Sequence, residues 1–191
     1  MVLLIILMQR LFYKIIYLTL DRILKGKLKM EREELLAIAE HFCEFDVQFS
    51  DTEERFDIIN PFGKDPIYVC VDNDPRTPYM VCFSCNHVHL ETPEQVIAYI
   101  GDIIDGNQFA IGFFKNGRQR IGGNLNAEEV RAISYNVLTL FLRSFPDLKL
   151  IDAADSIKVR GWAQDGDFDA TFGVDEMGNV SIQIIEVSAN E

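Results

Sequence analysis

The chain is short of the residues from which most metal and nucleophilic centres are built. It has three histidines (His41, His87, His89), none beyond residue 89, and four cysteines (Cys43, Cys70, Cys82, Cys85), none beyond residue 85. A zinc ribbon needs two paired half-sites, so nothing downstream could complete one begun at Cys82 and Cys85. P-loop, G-x-G-x-x-G, G-x-S-x-G and H-E-x-x-H patterns are missing, so no cofactor is expected and no catalytic residue is assigned. Basic side chains are scarce: 18 Lys and Arg stand against 30 Asp and Glu, a net charge of -12. Recognition of a phosphate backbone requires clustered cations, so nucleic acid is excluded as an expected partner. No Gly, Ser or Pro run marks a linker and no internal repeat is visible. The cysteines sit in or beside apolar segments such as Tyr68–Val71 and Tyr79–Phe83, the pattern of reduced thiols packed as small hydrophobes. A cytoplasmic location follows as the expectation.

Charge divides the chain at Met30. Residues 1–29 carry six basic side chains and one acid, +5, which leaves -17 for residues 30–191. Val2–Leu20 is apolar but places Gln9, Arg10 and Lys14 near its middle, where a spanning helix tolerates charge poorly. The segment reads either as an interfacial amphipathic helix or as a leader upstream of a start at Met30. A membrane surface is a partner only under the first reading. Residues 30–191 read as a single acidic α+β domain.

Periodicity locates the elements. Residues 31–43 have helical spacing. Alternating Phe45, Val47 and Phe49 precede strands at Arg55–Asn60, Ile67–Asp72 and Tyr79–Phe83. Thr92-Pro93 with Gln95 predicts a capped helix over 93–105. Lys115-Asn116-Gly117-Arg118 predicts a hairpin between Phe109–Phe114 and Gln119–Gly122. Asn126 caps a further helix predicted over 127–143. The tail predicts three strands, Ile157–Ala163, Phe168–Val174 and Val180–Val187. The expected architecture is a mainly antiparallel sheet with three helices packed on it and a C-terminal three-strand meander.

The densest run of potential ligands is Cys82-Phe83-Ser84-Cys85-Asn86-His87-Val88-His89. Read as one extended strand, it would put Cys85, His87 and His89 on one face and Cys82 on the other. His87, His89, Glu94 and Gly101 also fit part of the cupin pattern, but Pro93–Ile104 reads as helix and the later histidine is missing. Asp165, Asp167, Asp169 and Glu176 fall at EF-hand positions, yet Ala170 stands where glycine is needed and strands flank the run. Asp72 and Asp74 read as turn residues. Lys115, Arg118 and Arg120 form the one tight basic cluster of the acidic domain, a common device on exposed hairpins.

Phe83-Ser84, His87-Val88-His89, the capped helix ending Ile103-Ile104-Asp105-Gly106, and Ala110–Phe114 together resemble a pattern in small uncharacterised bacterial α+β proteins. The resemblance covers roughly forty residues and implies an immunity-type role without a known activity. The first functional expectation is therefore a small acidic cytosolic interaction domain, an immunity-like inhibitor of a basic protein partner. The alternative is a metal-dependent enzyme centred on His87 and His89. These two residues are the candidate ligand-binding pair. The connection from Phe83 to Thr92 is short, so they are expected at or just beyond a strand end. There, beside the N-terminus of the following helix, they would hold an anion or carboxylate. The competing expectation is a structural, solvent-facing or loop-capping pair.

Overall fold

Alternation of apolar and polar residues sets the two faces of each strand, and the turns decide which strands meet. The computed structural model describes residues 32–52, 54–72, 74–130, 154–163, 167–174 and 180–186. Helix α1 (residues 32–40) leads through tight turns to strands β1 (Val47–Phe49), β2 (Arg55–Ile58), β3 (Ile67–Val71), β4 (Tyr79–Phe83) and β5 (Asn86–Leu90). These pair antiparallel in chain order as a first sheet. Helix α2 (Pro93–Ile104) follows. Then come β6 (Gln108–Lys115), β7 (Arg118–Asn126), a first helical turn α3 (residues 127–130), β8 (Ser156–Arg160), β9 (Phe168–Val174) and β10 (Val180–Glu186). The second sheet is also antiparallel, in the order β10-β9-β8-β6-β7.

The α+β class stands, but the strands form two sheets instead of the expected one. Two-residue periodicity names the faces of a strand and leaves its neighbours open. The predicted helix over 127–143 lies largely outside the described residues; its first turn is closed by a reciprocal capping box. Glu129 N–H donates to Asn126 Oδ1 and Asn126 N–H to Glu129 Oε2, each at 2.9 Å. Residues 1–29 also lie outside the described residues. Among the described residues, no helix is long and apolar enough to cross a membrane.

α2 forms where its caps and spacing coincide. Thr92 is the N-cap and its hydroxyl accepts from Gln95 N–H at 3.3 Å, while Gln95 Oε1 accepts from Glu91 N–H at 2.8 Å. Pro93 takes the first helical position, and Gly106 (φ 73°) ends the helix in the left-handed region. Val96, Ile100 and Ile103 are buried against the inner face of the first sheet. That face is Phe56, Ile58, Ile67, Val69, Tyr79, Val81 and Phe83, and α1 adds Leu35, Ile38 and Ala39. Each such aliphatic side chain contributes roughly 1.5–3 kcal/mol by leaving water.

The two sheets are joined through this core. Ala110 of β6 and Trp162, just after β8, belong to it, and the Trp162 ring lies 6.1 Å from both Phe45 and Phe83. A second core lies on the opposite face of β6, where Phe109, Ile111 and Phe113 meet Leu125, Ile157, Val159 and Ala170. Polar pins cross the junction. The buried Asn60 donates to Trp162 O at 3.0 Å and accepts from Phe62 N–H at 2.8 Å. Lys64 donates to Gly161 O and Ala163 O and pairs with Asp167 at 3.1 Å.

Candidate functional site

The histidine pair lies in the body of a strand. Ser84 (φ 50°) and Cys85 make a two-residue turn, and Phe83 pairs with Asn86, so the segment expected as a connection is β5. The alternation of Asn86, Val88 and Leu90 with the histidines was legible, but it is short and polar. In the observed register Cys82 is directly opposite His87 and Met80 opposite His89. The turn reverses the chain, so Cys82 and the histidines share one face, contrary to the single-strand reading. Cys85 leaves that face: its Sγ is near Lys158 O, 4.0 Å away, in the second sheet.

The face concerned is the outer one, opposite that on which α1 and α2 pack. Its cross-strand rows read Gln48–Asp57–Tyr68–Cys82–His87 and Arg55–Cys70–Met80–His89. Both histidines are exposed, and Tyr68, Cys70, Met80 and Cys82 are half-buried. Both imidazoles therefore project from the face opposite that on which α2 packs, and only Leu90 and Glu91 separate His89 from the N-cap Thr92 in the chain. Arg55 pairs with Asp57 at 3.0 Å and lies 5.1 Å from the Tyr68 ring centroid.

At the His89 end the sheet gives way to a shallow depression of about 510 Å³ lined by Asp72, Asp74, Arg76, Thr77, His89 and Glu91. His89 Nδ1 lies 2.7 Å from Asp72 Oδ2. Asp74 caps its own loop by accepting from Arg76 N–H at 3.0 Å and from the guanidinium at 3.0 and 3.2 Å. Those bonds, with a smaller contribution from His89, hold the Asp74 carboxyl below its ordinary range. The His87 and His89 ring centroids are 5.3 Å apart, with the ring planes at 82°. Asp72 and Asp74 entered the sequence reading as turn residues, because only the register of β3, β4 and β5 brings that loop to the imidazoles.

The thiols of this region are protonated at neutral pH. Burial pushes the Cys70 thiol up, with Cys82 and Asp72 adding to the effect, and burial likewise raises Cys82 and Cys85. A raised thiol is a poor nucleophile. Cys85 and His87 face different surroundings, so they do not form a thiol–imidazole nucleophile pair. Among the described residues, no group of three or more His, Cys, Asp or Glu side chains is placed to hold a metal ion. The basic cluster sits elsewhere, on the β6–β7 hairpin, where Asn116 (φ 52°) and Gly117 (φ 73°) form the predicted turn.

A second cleft of about 160 Å³ lies at the sheet junction, lined by Lys64, Asp65, Phe83, Ser84, Arg160, Gly161 and Asp167. Its cations are already engaged, Lys64 as above and Arg160 with Asp169 at 2.7 Å. The cleft is a seam of the fold. Comparison with protein-family models, curated proteins and solved structures gave no match.

Proposed function

We propose that this chain is a small acidic interaction domain that binds a basic protein partner in the cytoplasm, in the manner of an immunity-like inhibitor. The distribution of charge carries the reading. Residues 32–105, which build α1, α2 and the first sheet, contain 16 acidic and 4 basic side chains, a net of -12. Three of those four cations, Arg55, Lys64 and Arg76, are paired with acids in the fold. Residues 106–191 contain 12 acidic and 8 basic side chains, a net of -4. A one-sided negative field accelerates encounter with a basic surface and orients the approach. The outer face of the first sheet supports the same reading, since its half-buried Tyr68 and Met80 beside Arg55 are side chains favoured at protein interfaces. The four free cysteines fit a reducing compartment.

The test is co-purification from the native host followed by a salt series. The expected result is a complex with a basic protein whose affinity falls at least about tenfold between about 50 and about 500 mM salt. Reversing the exposed Glu40, Glu44 and Glu54 to Lys slows its association. Tight association indifferent to salt and to these reversals refutes the electrostatic reading.

A further inference from the structure

We infer that His87 and His89 form a two-imidazole chelate for a borderline divalent transition-metal cation of the nickel, zinc or copper class. The inference is independent of the interaction reading and assigns no reaction. Residues i and i+2 of a strand project from the same face, so neither side chain must turn away to reach its neighbour. Metal–nitrogen bonds of about 2.0–2.1 Å put each ring centroid about 3.2 Å from a shared ion, so two cis imidazoles have centroids about 4.5–5.2 Å apart. The observed separation of 5.3 Å lies about 0.1 Å beyond that range, a gap that a small rotation about a side-chain torsion closes.

Two further observations point to a cation. Asp72 Oδ2 lies 2.7 Å from His89 Nδ1, which directs the Nδ1 proton to the carboxylate and leaves Nε2 as the nitrogen that carries the lone pair. A carboxylate placed on the far nitrogen fixes the tautomer and raises the basicity of metal-binding histidines. Asp74 and Glu91 line the same depression, and its one guanidinium, Arg76, is neutralised by Asp74 at 3.0 Å. This acidic setting favours a cation over the carboxylate or anion considered from sequence. The donors suit borderline metals, and water completes the coordination because no third His, Cys, Asp or Glu converges among the described residues.

Calorimetric titration of the full-length, tag-free chain with Ni(II), under reducing conditions, tests the assignment. One equivalent is expected to bind. His87→Gln and His89→Gln should each weaken binding at least about tenfold, and the double variant should abolish it. Asp72→Asn should weaken it by about tenfold while leaving the stoichiometry at one, in line with the loss of an outer-shell carboxylate. His41→Gln and Cys70→Ser/Cys82→Ser should leave it unchanged. Far-UV circular dichroism and thermal midpoints of all variants guard against misfolding, which is not expected at two exposed positions. The assignment is overturned if the wild type does not bind Ni(II) below millimolar concentration. It is also overturned if the double histidine variant binds as tightly as the wild type, or if affinity is lost with the thiols or with His41 instead.

Discussion

The first sheet and the second solve the problem of burying apolar surface in different ways. The first has one face packed under two helices and the other left half-open, so each of its strands separates into an apolar row and a mixed row. Its edge strand β5 therefore alternates strictly: Val88 and Leu90 turn inward while His87 and His89 are exposed. The second sheet has a central strand, β6, covered on both sides. Residues Phe109–Phe113 are buried without a break, Ala110 toward the first core and Phe109, Ile111 and Phe113 toward the second. Function of the kind proposed here needs the open arrangement, because a face covered on both sides has nothing to offer a ligand. The charge follows the same division: among the described residues, 15 acidic and 4 basic side chains fall within 32–105, against 6 acidic and 5 basic within 106–186.

The comparison breaks most readily in the cores. Phe56→Ala in the first core should cost about 3–5 kcal/mol, and Ile157→Ala in the second about 2–5 kcal/mol. Chemical denaturation of the two variants should each shift one common transition, because Trp162 and Ala110 tie the sheets together. Two separate transitions, with each variant moving only one, would show that the sheets are independent units.

The glycine contacts at the junction sharpen it next. Gly112 and Gly122 are cross-strand partners, and the Ser84–Cys85 turn of the first sheet rests on them. A Cβ at Gly122 would overlap the Cys85 carbonyl oxygen, and one at Gly112 would lie 2.8 Å from Cys85 Cβ. Gly122→Val should cost about 3 kcal/mol, by overpacking that backbone cannot easily yield to. Gly123→Ala, whose Cβ would meet only Ile111 Cγ2 at an ordinary 3.5 Å, should change the unfolding midpoint little. Equal effects at the two positions would remove the turn-on-glycine contact from the account.

Asn60→Ala comes third, at about 2 kcal/mol. It deletes a buried amide and leaves Trp162 O and Phe62 N–H without their partner. An unfolding midpoint within error of the wild type would show that water replaces the amide.

The smallest effect is that of pH on the thiols. Cys70, Cys82 and Cys85 have folded-state values raised by burial, so the folded state keeps its thiol protons where the unfolded chain has lost them. Their contribution is complete below the ordinary thiol range and is lost progressively as pH rises above about 9 toward the raised folded values. A pH series of thermal midpoints should fall over that window, and Cys70→Ser/Cys82→Ser should flatten part of the fall. Slow alkylation of Cys70, Cys82 and Cys85 in the native protein at pH 7, after the exposed Cys43 has reacted, against fast alkylation of all four on denaturation, reports the same protection. A midpoint that rises over the alkaline window would contradict the sign.

What the amino-acid sequence determined by itself was local. Thr92, Pro93 and Gln95 announce α2, Asn116-Gly117 announces its hairpin, and Asn126 announces the turn it caps, because each motif acts through backbone groups only a few residues away. The burial faces of β2, β3 and β4 follow from alternation for the same reason. The candidate site was half legible: the histidines stood out as a rare residue type in a tight pair, whereas their surroundings did not. Tertiary structure alone decided that Cys82 shares a face with them, that Asp72 reaches His89 from the end of a different strand, and that the strands divide between two sheets. Those facts depend on register and on packing between segments far apart in the chain, and a one-residue change in either exchanges one face of a strand for the other.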